Sequence, residues 1–125
     1  MTDNKIEQYL RELKVSYREL EPNLWLVEPE GQPQVAVLYA EPLVVIRALV
    51  MEAPRENRLE LFTKLLALNA ADMIHGAYGL EGDKIVLIDS WEYGTLDFEE
   101  LRATIESFSL ALTQHYPLLS VYRDR

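Results

Sequence analysis

The sequence contains no cysteine and only five glycines among its 125 residues. Without cysteine the chain cannot form a disulfide framework, a thiolate metal site or a cysteine nucleophile. The segment 76–79, Gly-Ala-Tyr-Gly, matches neither a Walker loop nor the G-x-G-x-x-G pattern, and it opens a predicted hairpin rather than a helix. Nucleotide binding therefore has no support in the sequence, and we expect no cofactor.

Positive charge is also scarce. Lys and Arg total 12 against 21 for Asp and Glu, which gives a formal net charge of −9. This charge repels the phosphates of nucleic acids and the headgroups of anionic membranes. We therefore expect neither nucleic acid nor a membrane surface as a partner.

Long apolar runs are absent too. The densest run, 43–51, is interrupted by Arg47 and falls far short of the roughly 20 residues that a helix needs to span a bilayer. The first turns of the chain lack the apolar core of a secretory signal and carry acids that transit peptides avoid. We expect a soluble cytoplasmic protein, and its length and 49% hydrophobic content predict a single domain over residues 1–125.

Recognisable catalytic motifs are missing as well. His75 and His115 are natural candidates for acid–base work or metal binding, but neither lies in a known motif. Asp72 and Glu52 do not have the fixed spacing to His75 that a metal motif requires, so we expect no metal. The serines lack the G-x-S-x-G elbow of serine hydrolases. A structural role is the favoured interpretation for both histidines.

Six segments are rich in β-forming residues and are separated by turn chemistry. They cover residues 15–20, 24–27, 34–40, 43–52, 75–80 and 84–92. The turn residues Glu21-Pro22-Asn23, Glu41-Pro42 and Glu81-Gly82-Asp83 predict that the six segments form three hairpins. The run 43–52 is almost uniformly apolar, which predicts burial on both of its faces.

Three segments show apolar residues at the helical spacing i, i+3, i+4, i+7. They cover residues 3–14, 57–69 and 97–116. Their candidate N-caps are Thr2 or Asp3, Asn57 and Asp97, and Glu60 and Glu100 follow the last two at capping-box spacing. Asn69 marks the end of the second helix, and the third ends before Pro117. The apolar stripe of the third helix, from Phe98 to Leu112, predicts a surface that covers the sheet or pairs with another subunit.

The order of these elements is α-β-β-β-β-α-β-β-α. Doubly wound folds alternate one strand with one helix, and this order does not. We therefore predict an α+β fold in which an antiparallel β-sheet is flanked by three principal helices.

Three blocks of sequence carry a family resemblance. They are Leu65-Leu66-Ala67-Leu68-Asn69, Gly76-Ala77-Tyr78-Gly79-Leu80 and Gly82-Asp83-Lys84-Ile85-Val86-Leu87, and a helix that starts at Leu96-Asp97 follows them. This combination resembles the YbjN-type domain family, which is similar to the class I type III secretion chaperones and the Tir chaperone group. The resemblance is best over residues 57–119. It implies a helix-flanked antiparallel sheet, frequent homodimerisation and the binding of extended or helical segments of other proteins on an apolar surface.

The function that the sequence favours is therefore non-enzymatic. We expect a protein-binding module, a chaperone-like or regulatory adaptor that forms a homodimer. Trp25, Trp91 and Tyr93 are candidate partner-binding residues, because Trp and Tyr bury a large area with few rotatable bonds. The alternative for each of them is an ordinary place in the core.

Two other functions stay open. A small acid–base enzyme could use Asp89 or Glu92 with His75, provided that these residues converge in a cleft. Asp89 follows four apolar strand residues, where burial raises the pKa of a carboxyl, although it can equally mark the point where its strand face reaches water. A sensory domain could instead bind a small apolar ligand between sheet and helices.

Overall fold

A computed structural model describes residues 4–123, which fold into helices packed on one β-sheet. The strands are β1 (Ser16–Glu21), β2 (Leu24–Glu28), β3 (Val35–Ala40), β4 (Leu43–Glu52), β5 (Ala77–Glu81) and β6 (Lys84–Glu92). The helices are α1 (Lys5–Leu13), α2 (Arg58–Ala71) and α3 (Phe98–Leu119), and a 3-10 turn, Ser120–Tyr122, follows α3. The α+β class and the predicted order of elements are confirmed.

The six strands form a single antiparallel sheet in the order β1-β2-β3-β4-β6-β5. The first four follow one another as hairpins, and β6 then pairs with β4 while β5 takes the outer position. All three predicted hairpins are confirmed. The register places Trp25 opposite Val37, Val37 opposite Ile46, and Ile46 opposite Asp89.

Alternation along the strands gives this sheet two chemically different faces. One face is the floor of the core, and the side chains of Val27, Val37, Ile46 and Leu87 on it are fully buried. Burying each such side chain stabilises the fold by about 1.5–3 kcal/mol. We call this face the helix side, because all three helices pack against it or beside its β5 end.

Polar contacts fix where each helix lies on the helix side. Tyr17 of β1 donates a hydrogen bond to Glu7 of α1, with 3.4 Å between the two oxygens. The Trp91 indole N–H donates to the Thr104 hydroxyl of α3 at 3.1 Å. Helix α2 lies beside β5, where the Asn69 side chain bonds to the backbone of Tyr78.

The N-terminus of α1 is capped by Asn4, whose side-chain oxygen accepts a hydrogen bond from the Ile6 N–H at 2.6 Å. The predicted caps Thr2 and Asp3 lie outside the described residues. Helix α1 ends at Lys14, which adopts a left-handed conformation with φ 59°.

Helix α2 differs from the prediction at both ends. Asn57 has φ 61° and makes no side-chain capping hydrogen bond, so the predicted capping box with Glu60 is wrong. The helix continues past Asn69 to Ala71. Asn69 is therefore a residue within the helix, and its side chain bonds to the backbone of strand β5 rather than marking the helix end.

Helix α3 has the predicted capping box. Asp97 accepts a hydrogen bond from the Glu100 N–H at 2.8 Å, and the Glu100 side chain accepts one from the Asp97 N–H at 3.0 Å. The predicted end before Pro117 is wrong, because the helix runs on to Leu119. Leu119 is itself buried, so tertiary packing holds the last turn although proline lacks an N–H to donate.

The prediction that β4 is buried on both faces is also wrong. Val44 and Ile46 on the helix side are fully buried, whereas Leu49 on the other side is 58% exposed. Alternation along the strand turns Leu49 to the face opposite Ile46. No helix of residues 4–123 covers that second face.

Candidate functional site

The uncovered face of the sheet is apolar. It carries side chains from five strands, namely Leu24, Leu26, Ala36, Leu38, Leu43, Val45, Leu49, Ala77 and Ile88. We call this surface the open face. Leu38 is 37% exposed and Leu43 is 39% exposed, although both lie within a sheet. A contiguous apolar surface of this kind is typical of a protein-binding site.

Ion pairs lie towards both ends of the open face. Arg18 lies 3.3 Å from the Glu28 carboxylate, and Arg47 contacts Glu81. Because β6 lies between β4 and β5, the Arg47–Glu81 pair crosses β6, where Val86 is buried. The Arg47–Glu81 pair therefore shields the β5 end of the open face, and Leu38 and Leu43, which lie between the two ion pairs, stay exposed.

The edge of the sheet at β5 is partly closed by a side chain, at Tyr78. The Tyr78 N–H donates to the Asn69 side-chain oxygen at 2.7 Å, and the Asn69 amide donates to the Tyr78 carbonyl at 3.1 Å. Asn69 thus takes both backbone bonds that a neighbouring strand would offer to Tyr78. The sequence pattern predicts Asn69 only as a helix end and does not reveal this role, because Tyr78 lies in another element.

The edge at β1 is different. Every residue of β1 except Tyr17 is exposed, and none of the described strands pairs with its outer side. Unpaired backbone N–H and C=O groups on an edge strand can accept a further strand. The two edges of the sheet are therefore unequal, with β1 accessible and β5 partly closed.

Trp25, the first predicted site residue, lies on the helix side and is 1% exposed. Its indole nitrogen is buried and has no hydrogen-bond partner within the described residues. The structure thus places Trp25 in the core rather than on the accessible surface. Its predicted contact with a partner would require the core to open.

Trp91 and Tyr93, the other two predicted site residues, lie at the end of β6 and are half-buried. Tyr93 stacks on Tyr39, with 4.2 Å between ring centroids, and the Lys5 ammonium lies 4.5 Å above the Tyr93 ring. We call Tyr39, Trp91 and Tyr93 the aromatic corner. Desolvation, followed by the charges of Glu41 and Tyr93, raises the pKa of the Tyr39 phenol.

The residues of the possible enzyme do not all converge. Glu92 lies opposite Leu43 on the open face, whereas Asp89 lies opposite Ile46 on the helix side. Partial burial raises the pKa of the Asp89 carboxyl, while the Ser90 N–H and the nearby His75 lower it. The structure thus brings Asp89 near His75 and separates both from Glu92.

His115, for which the sequence favours a structural role, lies near the end of α3 in a buried hydrogen-bond network. Its Nδ1 lies 2.6 Å from the Tyr78 hydroxyl, and its Nε2 lies 3.3 Å from Asp72. Burial raises the pKa of Tyr78 to about 12. The Asp72 carboxylate can only accept, so the ring proton of a neutral His115 lies on Nε2, and Nδ1 then accepts from the Tyr78 hydroxyl. This network joins β5, α3 and the end of α2.

Two further apolar surfaces lie on the helices. A groove of about 440 Å³ between α1 and α3 is lined by Leu13, Val15, Ile105 and Leu110, and we call it the α1–α3 groove. On α2, Leu66 is 69% exposed beside a pocket of about 160 Å³. That pocket is smaller than the roughly 300–1,000 Å³ of typical small-molecule sites.

Two absences concern residues 4–123 only. No cluster of three or more potential metal-ligating side chains occurs among them. None of their helices is both long enough and apolar enough to cross a membrane.

Comparison with known proteins assigns the family. The family model CesT_Tir_1, which describes type III secretion chaperones, matches residues 1–124. The chain belongs to this family. Its members are non-enzymatic chaperones that bind other proteins, so the predicted class of non-enzymatic protein-binding domain and the predicted resemblance are confirmed. No curated protein sequence matches the chain.

Solved structures share its fold. A chain of the heterodimeric ExoU–SpcU complex from the type III secretion system of Pseudomonas aeruginosa superposes with a TM-score of 0.75 at 15% identity, covering 91% of this chain and 97% of that one. A chain of the ExsC–ExsE complex gives 0.68 at 17% identity, covering 95% and 97%. YbjN from E. coli gives 0.65 at 16% identity, covering 90% of each chain. At these identities the likeness establishes the fold alone.

Proposed function

We propose that this chain is a chaperone-like or regulatory adaptor that holds a segment of a partner protein on its open face. The observation that carries the proposal is the apolar open face itself, which none of the described helices covers. Leaving Leu38, Leu43 and Leu49 exposed to water costs free energy that a bound partner recovers. A chaperone-type family fits this use, and the matched complexes named above contain two different proteins.

The β1 edge borders the open face and extends the proposed site. An extended partner segment could pair with β1 through backbone hydrogen bonds, and Asn69 hinders the same pairing at Tyr78 on the β5 edge. We propose the aromatic corner as a second contact, since Trp91 and Tyr93 are only half-buried. Trp25 would support the site from below by holding β2 against the helices.

We also propose that the chain forms a homodimer through α2 and β5. Leu59, Leu66 and Leu80 are exposed there, next to the pocket between the two elements. A symmetric pairing of two copies would bury these leucines, as a twofold interface uses the same surface on each subunit. A soluble cytoplasmic chaperone is the setting that we propose for both contacts.

Partner capture from the native cell tests the proposed site. Tagged wild-type protein and a Leu38→Lys/Leu43→Lys variant are compared, with Ile74→Lys as the control because Ile74 is 82% exposed in the loop before β5 and is not one of the residues of the open face. We expect the specific partners of the wild type to be lost with the double variant and kept with the control. Equal recovery by all three proteins, each shown to be folded by circular dichroism, would refute the proposal.

Light scattering tests the proposed dimer. We expect twice the monomer mass for the wild type and the monomer mass for Leu66→Glu. Leu110→Glu is the control, because Leu110 is similarly exposed but lies on α3. A monomeric wild type would contradict the homodimer without bearing on the open face.

A further inference from the structure

We propose that the segment bound on the open face is an amphipathic helix whose apolar stripe is flanked on both sides by Lys or Arg. This inference rests on the proposed function, and it adds the chemical class of the partner. It concerns the part of the open face between β1 and β6, where the exposed Leu38 and Leu43 and the partly buried Leu24 and Val45 form an apolar surface, here called the leucine patch.

The register makes the leucine patch continuous. Leu24 lies opposite Leu38, and Leu38 lies opposite Val45, so the three side chains form one row across three strands. Leu43 lies two residues before Val45 on the same strand and therefore points to the same side. The row spans about 10 Å at a strand spacing of about 4.8 Å, which matches the width of one α-helix.

The backbone chemistry of a sheet face favours a helix as the occupant. The N–H and C=O groups of a sheet lie in its plane, so its face offers a bound chain no backbone partners. An extended segment lying on that face would leave its own backbone groups unpaired, whereas a helix satisfies them internally. A helix packed on a sheet is also one of the standard ways in which a sheet face is buried.

Charge decides the composition of the flanks. Glu21 of β1 lies opposite Leu24 of β2, and Glu92 of β6 lies opposite Leu43 of β4. Both glutamates are therefore on the open face. Both are exposed, and neither carboxylate has a hydrogen bond or an ion pair within residues 4–123. The arginines of this face, Arg18 and Arg47, are each paired with a glutamate.

The spacing of the two free carboxylates fits this partner. Glu21 and Glu92 are separated by four strand spacings, on the order of 19 Å. A helix about 10–12 Å across fits between them, and Lys or Arg side chains on its two flanks are long enough to reach them. The net charge of −9 acts in the same direction, because it attracts a cationic segment over longer range.

Fluorescence anisotropy with designed helical peptides tests the inference. The probes are an 18-residue peptide with a leucine stripe flanked by lysines, the same peptide with glutamates in place of the lysines, and a scrambled lysine–leucine peptide that has no stripe. We expect the lysine-flanked helix to bind at least tenfold more tightly than either of the others. We also expect this binding to weaken with added salt.

Variants locate the binding. We expect Glu21→Gln/Glu92→Gln to weaken binding of the lysine-flanked peptide by roughly three- to tenfold, the range for two exposed ion pairs. Glu30→Gln/Glu56→Gln removes the same charge from exposed acids elsewhere and should have less than a twofold effect. Leu38→Gln should weaken binding at least tenfold, and Ile74→Gln should leave it unchanged.

Three results would overturn the inference. Equal binding of the lysine and glutamate peptides would remove the charge preference, and equal loss in both double-glutamate variants would reduce it to general attraction. Self-association through the open face, seen as an oligomer that Leu38→Gln dissociates, would assign the face to a second copy. If the peptides show no preference while Leu38→Lys/Leu43→Lys still abolishes partner capture, the inferred class of partner is wrong but the proposed function stands. If the peptides show no preference and that variant captures partners normally, the proposed function fails together with the inferred class of partner.

Discussion

Asn69 of α2 holds both backbone polar groups of Tyr78, the second residue of the edge strand β5. Its amide accepts from the Tyr78 N–H at 2.7 Å and donates to the Tyr78 carbonyl at 3.1 Å. One side chain thus links α2 to the sheet and takes the place of a neighbouring strand. The accessible strand edge is left at β1, beside the open face.

Replacing Asn69 should destabilise this link. We expect Asn69→Ala to lower the free energy of unfolding by about 1–3 kcal/mol, because two part-buried backbone groups lose their partners. Asn69→Asp keeps an acceptor for the Tyr78 N–H but sets a carboxylate against the Tyr78 carbonyl, so it should be no better than alanine. Urea denaturation measures both. An unchanged midpoint in both variants would show that water replaces the side chain at no cost.

Gly76 should tolerate no side chain. Its φ is +82°, and an added Cβ would lie 2.6 Å from the Phe108 ring. We expect Gly76→Ala to cost about 2–4 kcal/mol, from the left-handed backbone and the overpacking together. Gly82→Ala is the matched control, because Gly82 has φ +61° with open space around it. Equal losses in thermal or urea unfolding would contradict the steric account.

Burial of the Tyr78 phenol should appear in the alkaline stability profile. The folded pKa of Tyr78 is raised to about 12 from an ordinary value of 10.0. The folded state therefore holds this proton more tightly than the unfolded state, and the contribution is present below pH 10 and lost as pH rises towards 12. We expect Tyr78→Phe to remove roughly 2 kcal/mol of that pH dependence. Tyr116→Phe, at an exposed tyrosine, should leave the profile of urea midpoints unchanged.

Alanine substitutions at Trp25 and Tyr93 should distinguish a core residue from a surface residue by their effect on the free energy of unfolding. We expect Trp25→Ala to lower the free energy of unfolding by about 3–5 kcal/mol, as large-to-small changes of a buried Trp do. Tyr93→Ala removes a half-buried ring and should cost less than half of that. Chemical denaturation gives both values. Similar losses would mean that the aromatic corner is as much a part of the core as Trp25.

Local sequence patterns predicted the elements well and the surfaces poorly. The hairpin of β5 and β6 and the capping box of α3 depend on neighbouring residues, so turn and cap chemistry was enough to find them. The burial of β4 depends on what covers each face of the sheet. The apolar composition of the strand does not predict which face is covered.

The same limit applies to the candidate site. The open face, the Asn69 link and the His115 network all join residues that are far apart in sequence. Trp25 was chosen for its side-chain type alone, and only the register shows that it faces the helices. Pro117 was expected to end α3, because the packing of Leu119 beyond it is not visible in the local pattern.

Methyl NMR on leucine- and valine-labelled protein, titrated with a captured partner, tests the open face most directly. We predict chemical-shift changes at Leu38, Leu43 and Val45, with the methyls of the α1–α3 groove unchanged. Shifts confined to Leu13 and Leu110 in that groove, with the open-face methyls unmoved, would contradict the account.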